Sequence, residues 1–142
     1  MNTLELMAPE TRATNGNDVI QLPDGLLGFE GVKNYVLLTR PEEAPFLWLQ
    51  MIDDPKRAFL VLPPHFILAD YQPDLSELDV EFLDLIEPSD AFVLNIVTLR
   101  AHGRATANLR GPIVINRRTL IGKQVIPVNA SQYALQHPLP VS

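Results

Sequence analysis

Short apolar runs separated by proline, glycine and acidic breaks recur along the chain at intervals of about ten residues. They occupy residues 19–22, 35–39, 46–52, 58–62, 80–86, 91–99, 113–115 and 124–128, and several are rich in β-branched side chains. Each has the length of a strand and is too short for a stable helix. The pattern therefore predicts a mostly β fold, a single-domain antiparallel sheet of barrel-like or sandwich form with short helical turns. The connectors agree, because Pro23-Asp24-Gly25, Asp53-Asp54-Pro55, Pro63-Pro64, His102-Gly103 and Gly111-Pro112 all carry turn chemistry.

Two stretches strain this scheme. In the first, Asp74 stands three residues before Glu77, the spacing of a capping box, and Leu75, Leu78, Phe82 and Leu85 fit a helical stripe. The alternation of Leu78, Val80 and Phe82 with Asp79 and Glu81 fits a strand instead. A short capped helical turn near 74–78 followed by a strand reconciles the two. In the second, Pro127 cannot donate to a ladder, so residues 124–128 are expected to lie at an edge or to bend there.

Composition narrows the class. The 142 residues are 46% hydrophobic and 20% charged, which suits one folded domain. Residues 1–17 lack a periodic apolar pattern and are read as a flexible extension, leaving 18–142 as the domain. With no Cys and three scattered His, there is no disulfide framework, thiol nucleophile or metal-ligand cluster, and no cofactor is expected. The longest apolar-leaning run, residues 91–99, falls far short of the roughly 20 residues a membrane helix requires. No membrane span and a cytoplasmic location follow as expectations.

Catalytic signatures do not emerge. The glycines at 25, 28 and 31 suit tight turns better than a phosphate cradle, because the G-x-G core is missing and no helix follows. Asp53 and Asp54 are adjacent and suit a solvated turn. His65 and His102 fall in connectors without ligand partners at metal spacing. An enzyme is not expected.

Charge is the unusual feature. Residues 1–90 carry all 17 acids against five bases, a net of -12, whereas 91–142 carry six bases and no acid, a net of +6. Eight acids lie between Asp70 and Asp90, and no Lys or Arg occurs between Arg57 and Arg100. Two readings of that stretch stand side by side: a solvated edge that discourages aggregation, or a docking surface for a basic partner centred on Asp70, Asp74, Glu77, Asp79 and Glu81. The basic half suggests a nucleic-acid-binding β-barrel as the alternative function. Yet after Phe92 its only aromatic is Tyr133, so the stacking platforms of single-strand binders are missing and no direct nucleic-acid contact is expected. Pairing with the acidic half, or with an acidic protein, is the favoured fate of these bases.

A family resemblance then enters through residues 106–116, Thr-Ala-Asn-Leu-Arg-Gly-Pro-Ile-Val-Ile-Asn. This segment resembles the T-A-N-L-x-x-P-I-[IV]-I-N motif of the FliW flagellar assembly factors. Residues 25–30, 45–50, 58–61 and 124–126, the Asp70-Tyr71 pair, and the ending from Tyr133 to Leu139 are similar in the same order. The first 17 residues and Pro127 depart from the usual pattern. The resemblance implies a β-rich, barrel-like cytoplasmic protein without catalysis. It would bind flagellin in a chaperone-like way, and it would bind and antagonise CsrA, a translational repressor that silences flagellin messenger RNA. Tyr71, Thr106, Asn108 and Arg110 join the acids as candidate partner-binding residues. For Thr106 and Asn108 a turn-forming role competes with contact.

Overall fold

The computed structural model describes residues 18–139; the N-terminal 17 residues read from sequence as an extension lie outside them. Nine strands form one antiparallel system: β1 (Ile20–Gln21), β2 (Asn34–Thr39), β3 (Leu47–Met51), β4 (Ala58–Leu62), β5 (Ala91–Leu99), β6 (Ala105–Ala107), β7 (Ile113–Asn116), β8 (Gly122–Gln124) and β9 (His137–Pro138). β1 to β5 pair in sequence order. The nine-residue β5 then divides its partners. Its first part, Ala91 to Leu94, pairs with β7, and its last part, Val97 to Leu99, pairs with β6. Beyond these, β7 pairs with β8 and β6 with β9. A lone parallel bridge between Gln21 and Ile121 joins the far ends of the system. The sheet is thus curled and barrel-like, without a full closing ladder.

Alternation along the strands explains the core. Tyr35 and Leu37 on β2, Leu49 and Met51 on β3, Val61 on β4, Leu94 on β5, and Ile113 and Ile115 on β7 all point inward with Ile20, Leu22 and Leu26, each at most 2% exposed. The intervening residues of β2 and β7 are buried as well. Val36 and Leu38 pack with Trp48, and Val114 packs with Leu75, Leu83, Leu85 and Val125. Burial on both faces is why these two strands read as continuous apolar runs.

Proline abundance has a local purpose. Three of the five 3-10 turns, Pro41–Glu43, Pro64–Phe66 and Pro88–Asp90, begin on a proline, where the missing N–H would have lacked a helical partner anyway. Gly25 is demanded by its turn: its φ is +67°, and an added Cβ would lie 2.5 Å from the Phe29 carbonyl oxygen.

Four sequence expectations require correction. Residues 80–86 are not a strand, because α1 (Glu77–Phe82) occupies the region and its neighbours Leu75, Leu83 and Leu85 cover the outer face of β7. Its cap is Ser76, whose hydroxyl accepts from the Asp79 N–H at 3.1 Å, and not Asp74. The predicted stripe is also rotated, since Leu78 is 78% and Phe82 43% exposed while Asp79 turns inward. The last predicted strand is displaced to β8, which stops at Gln124, ahead of Pro127. β6 and β9 are short strands that the periodicity does not reveal.

Candidate partner-binding surface

The acidic stretch sorts into carboxylates held by the fold and carboxylates left to solvent. Asp79 is 7% exposed, and its Oδ1 lies 2.6 Å from Lys123 Nζ. Asp90 accepts the N–H groups of Ile86 and Glu87 through Oδ2 and meets Arg118 Nε at 3.3 Å through Oδ1. Those backbone donors, with Arg118, hold the Asp90 carboxyl below its ordinary range, and Asp90 in turn raises Arg118. The Arg118 guanidinium also reaches the Asp84 carbonyl at 2.7 Å and its carboxylate at 3.6 Å. So the acidic and basic halves pair across the fold through Lys123 and Arg118.

Asp70, Asp74, Glu77 and Glu81 are different. All four are exposed, and their carboxylates have no hydrogen bond or ion pair among the described residues. They run from the loop after the Pro64–Phe66 turn into the first turns of α1. Of the five acids proposed for docking, Asp79 alone is turned into the fold and already neutralised.

The remaining candidates serve structure to differing degrees. Tyr71 is 8% exposed, donates its hydroxyl to the Leu109 carbonyl at 2.7 Å and packs edge-on against Tyr133 at 4.7 Å. Burial pushes its phenol up to about 12. Asn108 Oδ1 accepts from the N–H groups of Arg110 and Gly111, both at 2.9 Å, closing the turn that ends β6. Thr106 Oγ1 accepts from Arg100 Nε at 3.2 Å. Arg110 is exposed and donates Nε to the Tyr133 carbonyl at 2.7 Å.

Asn116 was not singled out in sequence, yet it ties the sheet to the acidic region. Fully buried, it accepts from the N–H groups of Arg118 and Thr119 and donates Nδ2 to the carbonyls of Leu83 and Asp84. A sequence signal exists: Asn108 and Asn116 each precede an Arg by two residues, at the ends of the consecutive strands β6 and β7. Exposed apolar side chains were also missed. Leu78 and Phe82 on α1, with Ile126 and Val128 after β8, are between 43% and 78% exposed.

These features define a class: a small curled antiparallel sheet, with a short helix laid on its outside and an acidic, partly apolar face beside that helix. The FliW protein family model matches residues 5–139, and the chain belongs to this family. The match also takes in most of residues 1–17, so the departure at the start of the chain shrinks to four residues. Flagellar assembly factor FliW of Leptospira interrogans is 39% identical over 115 residues, covering 80% of this chain and 77% of that protein. Its counterpart in Bacillus licheniformis is 38% identical over 124 residues, covering 87% and 86%. A crystal structure of the flagellar assembly factor FliW superposes with a TM-score of 0.78 at 33% identity, covering 90% of this chain and 89% of the other. No helix among the described residues is long and apolar enough to cross a membrane.

Proposed function

We propose that this chain is a non-enzymatic cytoplasmic assembly factor that binds flagellin in a chaperone-like way and binds and antagonises CsrA, relieving repression of flagellin messenger RNA. Family membership supports the flagellar setting. The observation that carries the CsrA reading is the set of exposed carboxylates at Asp70, Asp74, Glu77 and Glu81, which are unpaired among the described residues. A repressor that binds RNA must present Lys and Arg to phosphate, and a protein bearing four free acids docks beside such a surface and repels the competing phosphates. Accumulated flagellin would occupy the factor and free CsrA; secretion of flagellin would reverse this.

Titration of the full chain with purified flagellin, CsrA and an unrelated RNA tests the reading. Binding to both proteins and not to the RNA is expected. Asp74→Asn, Glu77→Gln and Glu81→Gln together are expected to weaken CsrA binding and flatten its salt dependence. Tight RNA binding without protein binding would favour the nucleic-acid-binding barrel. An unchanged affinity and salt slope in the triple variant would remove the acidic face from the CsrA contact.

A further inference from the structure

The acidic face is continuous with an apolar ledge and a polar groove. Two ties hold β8 and the segment after it alongside α1 and the loop before it: Lys123 Nζ contacts both Asp79 and, at 5.4 Å, the Phe82 ring, and the Val128 N–H donates to the Asp74 carbonyl at 2.7 Å. The chain from 123 to 128 therefore runs antiparallel to 74–82. Lys123 over Phe82 shows which flank of α1 faces this segment, and Leu78, four residues before Phe82, lies on the same flank. Leu78 (78% exposed), Phe82 (43%), Ile126 (60%) and Val128 (68%) thus line one ledge between helix and strand extension.

At the Asp74 end the ledge meets a groove. Asn129 Oδ1 accepts from the Asp74 N–H, and Asn129 Nδ2 donates to the Gln72 carbonyl, so the turn after Val128 is pinned to the loop before α1. Asn129 and Gln72, with Asp70, Gln132, Tyr133 and Leu68, line a groove of about 460 Å³. The Asp70 carboxylate at its side has no partner among the described residues. Such a concavity, with one carboxylate and several side-chain amides, suits a guanidinium or ammonium group.

Resting on the reading above that this chain binds protein partners, we propose that ledge and groove form one docking site for an amphipathic helix. The apolar stripe of that helix covers Leu78, Phe82 and Val128, and a Lys or Arg at its end enters the groove beside Asp70. Charge complementarity selects this occupant. Glu77 and Glu81 stand on α1 beside the ledge and Asp70 at its end, so a second copy of this face or an anionic lipid surface would be repelled, whereas a helix flanked by bases is attracted.

A labelled peptide of about 18 residues, roughly five helical turns, tests the proposal on the full chain. It carries Leu at i, i+3, i+4 and i+7 positions with Lys on the flanks. The same peptide with Glu for Lys, and a scrambled version, are the controls. Fluorescence anisotropy is expected to show binding of the Leu/Lys helix, with both controls weaker by about tenfold or more. Leu78→Ser and Val128→Ser, both at exposed positions, are expected to weaken binding about tenfold each with unchanged urea midpoints. Asp70→Asn is expected to reduce the salt dependence. Amide shift changes on titration are expected to cluster at 70–82 and 123–133.

Equal binding of the scrambled peptide, wild-type affinity in Leu78→Ser, or shift changes elsewhere would overturn the assignment. Concentration-dependent self-association abolished by Leu78→Ser would make a second copy the occupant and overturn it too. Flagellin and CsrA binding with no peptide binding would sink the docking site and leave the proposed function standing. Peptide binding at the ledge without either protein partner would do the reverse.

Discussion

Lys123 Nζ lies 2.6 Å from Asp79 Oδ1, joining a base from the C-terminal half of the chain to an acid of the helix that covers the sheet. With side-chain exposures of 28% and 9%, the pair lies between a surface bridge and a buried one. Asp79→Asn is expected to lower stability by about 1–2 kcal/mol by urea unfolding, leaving Lys123 partly desolvated beside Phe82. Lys123→Met with Asp79→Asn should cost less than the sum of the single changes, because the second removes a charge already orphaned. Strict additivity would show that the two groups do not interact in solution.

The turns at Asn108 and Asn116 use the same device with different stakes. Each side-chain oxygen takes two backbone N–H groups, but only Asn116 also donates to two carbonyls across the domain, and it is fully buried. Asn116→Ala should cost about 2–4 kcal/mol and Asn108→Ala about 1 kcal/mol in thermal or urea unfolding. An equal cost would mean that the bonds to Leu83 and Asp84 contribute nothing.

Asp90 sets an acid dependence. Its folded pKa is depressed by the Glu87 and Ile86 N–H groups and by Arg118, so its contribution to stability is fully present above the unfolded value of about 3.9. That contribution is lost as pH falls below this value through the depressed folded pKa. The urea midpoint of the natural chain should therefore fall more steeply on acidification below about pH 4 than that of Asp90→Asn. Parallel curves would exclude this carboxylate as the source.

Tyr71 works in the opposite direction. With its folded pKa raised to about 12, its contribution is complete below the ordinary tyrosine value of about 10 and disappears as pH rises from there towards 12. Tyr71→Phe should cost about 1 kcal/mol at neutral pH, through loss of the bond to the Leu109 carbonyl, and should flatten the alkaline decline. Denaturation midpoints between about pH 9 and 11 would show it. A decline as steep as in the natural chain would assign the alkaline effect elsewhere.

Strand periodicity was legible where the two faces of the sheet differ or where both are buried. The runs at 58–62 and 91–99 match β4 and β5 residue for residue. It failed at 80–86 because the sequence there satisfies two periods, and the uncovered outer face of β7 decides between them. Leu75, Leu83 and Leu85 fill that face when Ser76 caps a helix, and a strand through the same residues would not place them together. β6 and β9 are illegible in the sequence because strands of three and two residues carry no periodicity.

What the sequence determined alone was the β class, the turn positions, the family through its 106–116 motif, and the separation of acidic from basic halves. Only the tertiary structure decided which charges act outwardly. Lys123 lies 44 residues from Asp79 along the chain, and Arg118 lies 28 residues from Asp90, yet folding brings each pair into contact. Ion pairing depends on distances of a few ångströms in space, and one-dimensional charge patterning holds no such information. Within the acidic stretch, the structure leaves the carboxylates of Asp70, Asp74, Glu77 and Glu81 without a partner among the described residues, beside apolar side chains that only the packing of α1 against the sheet exposes.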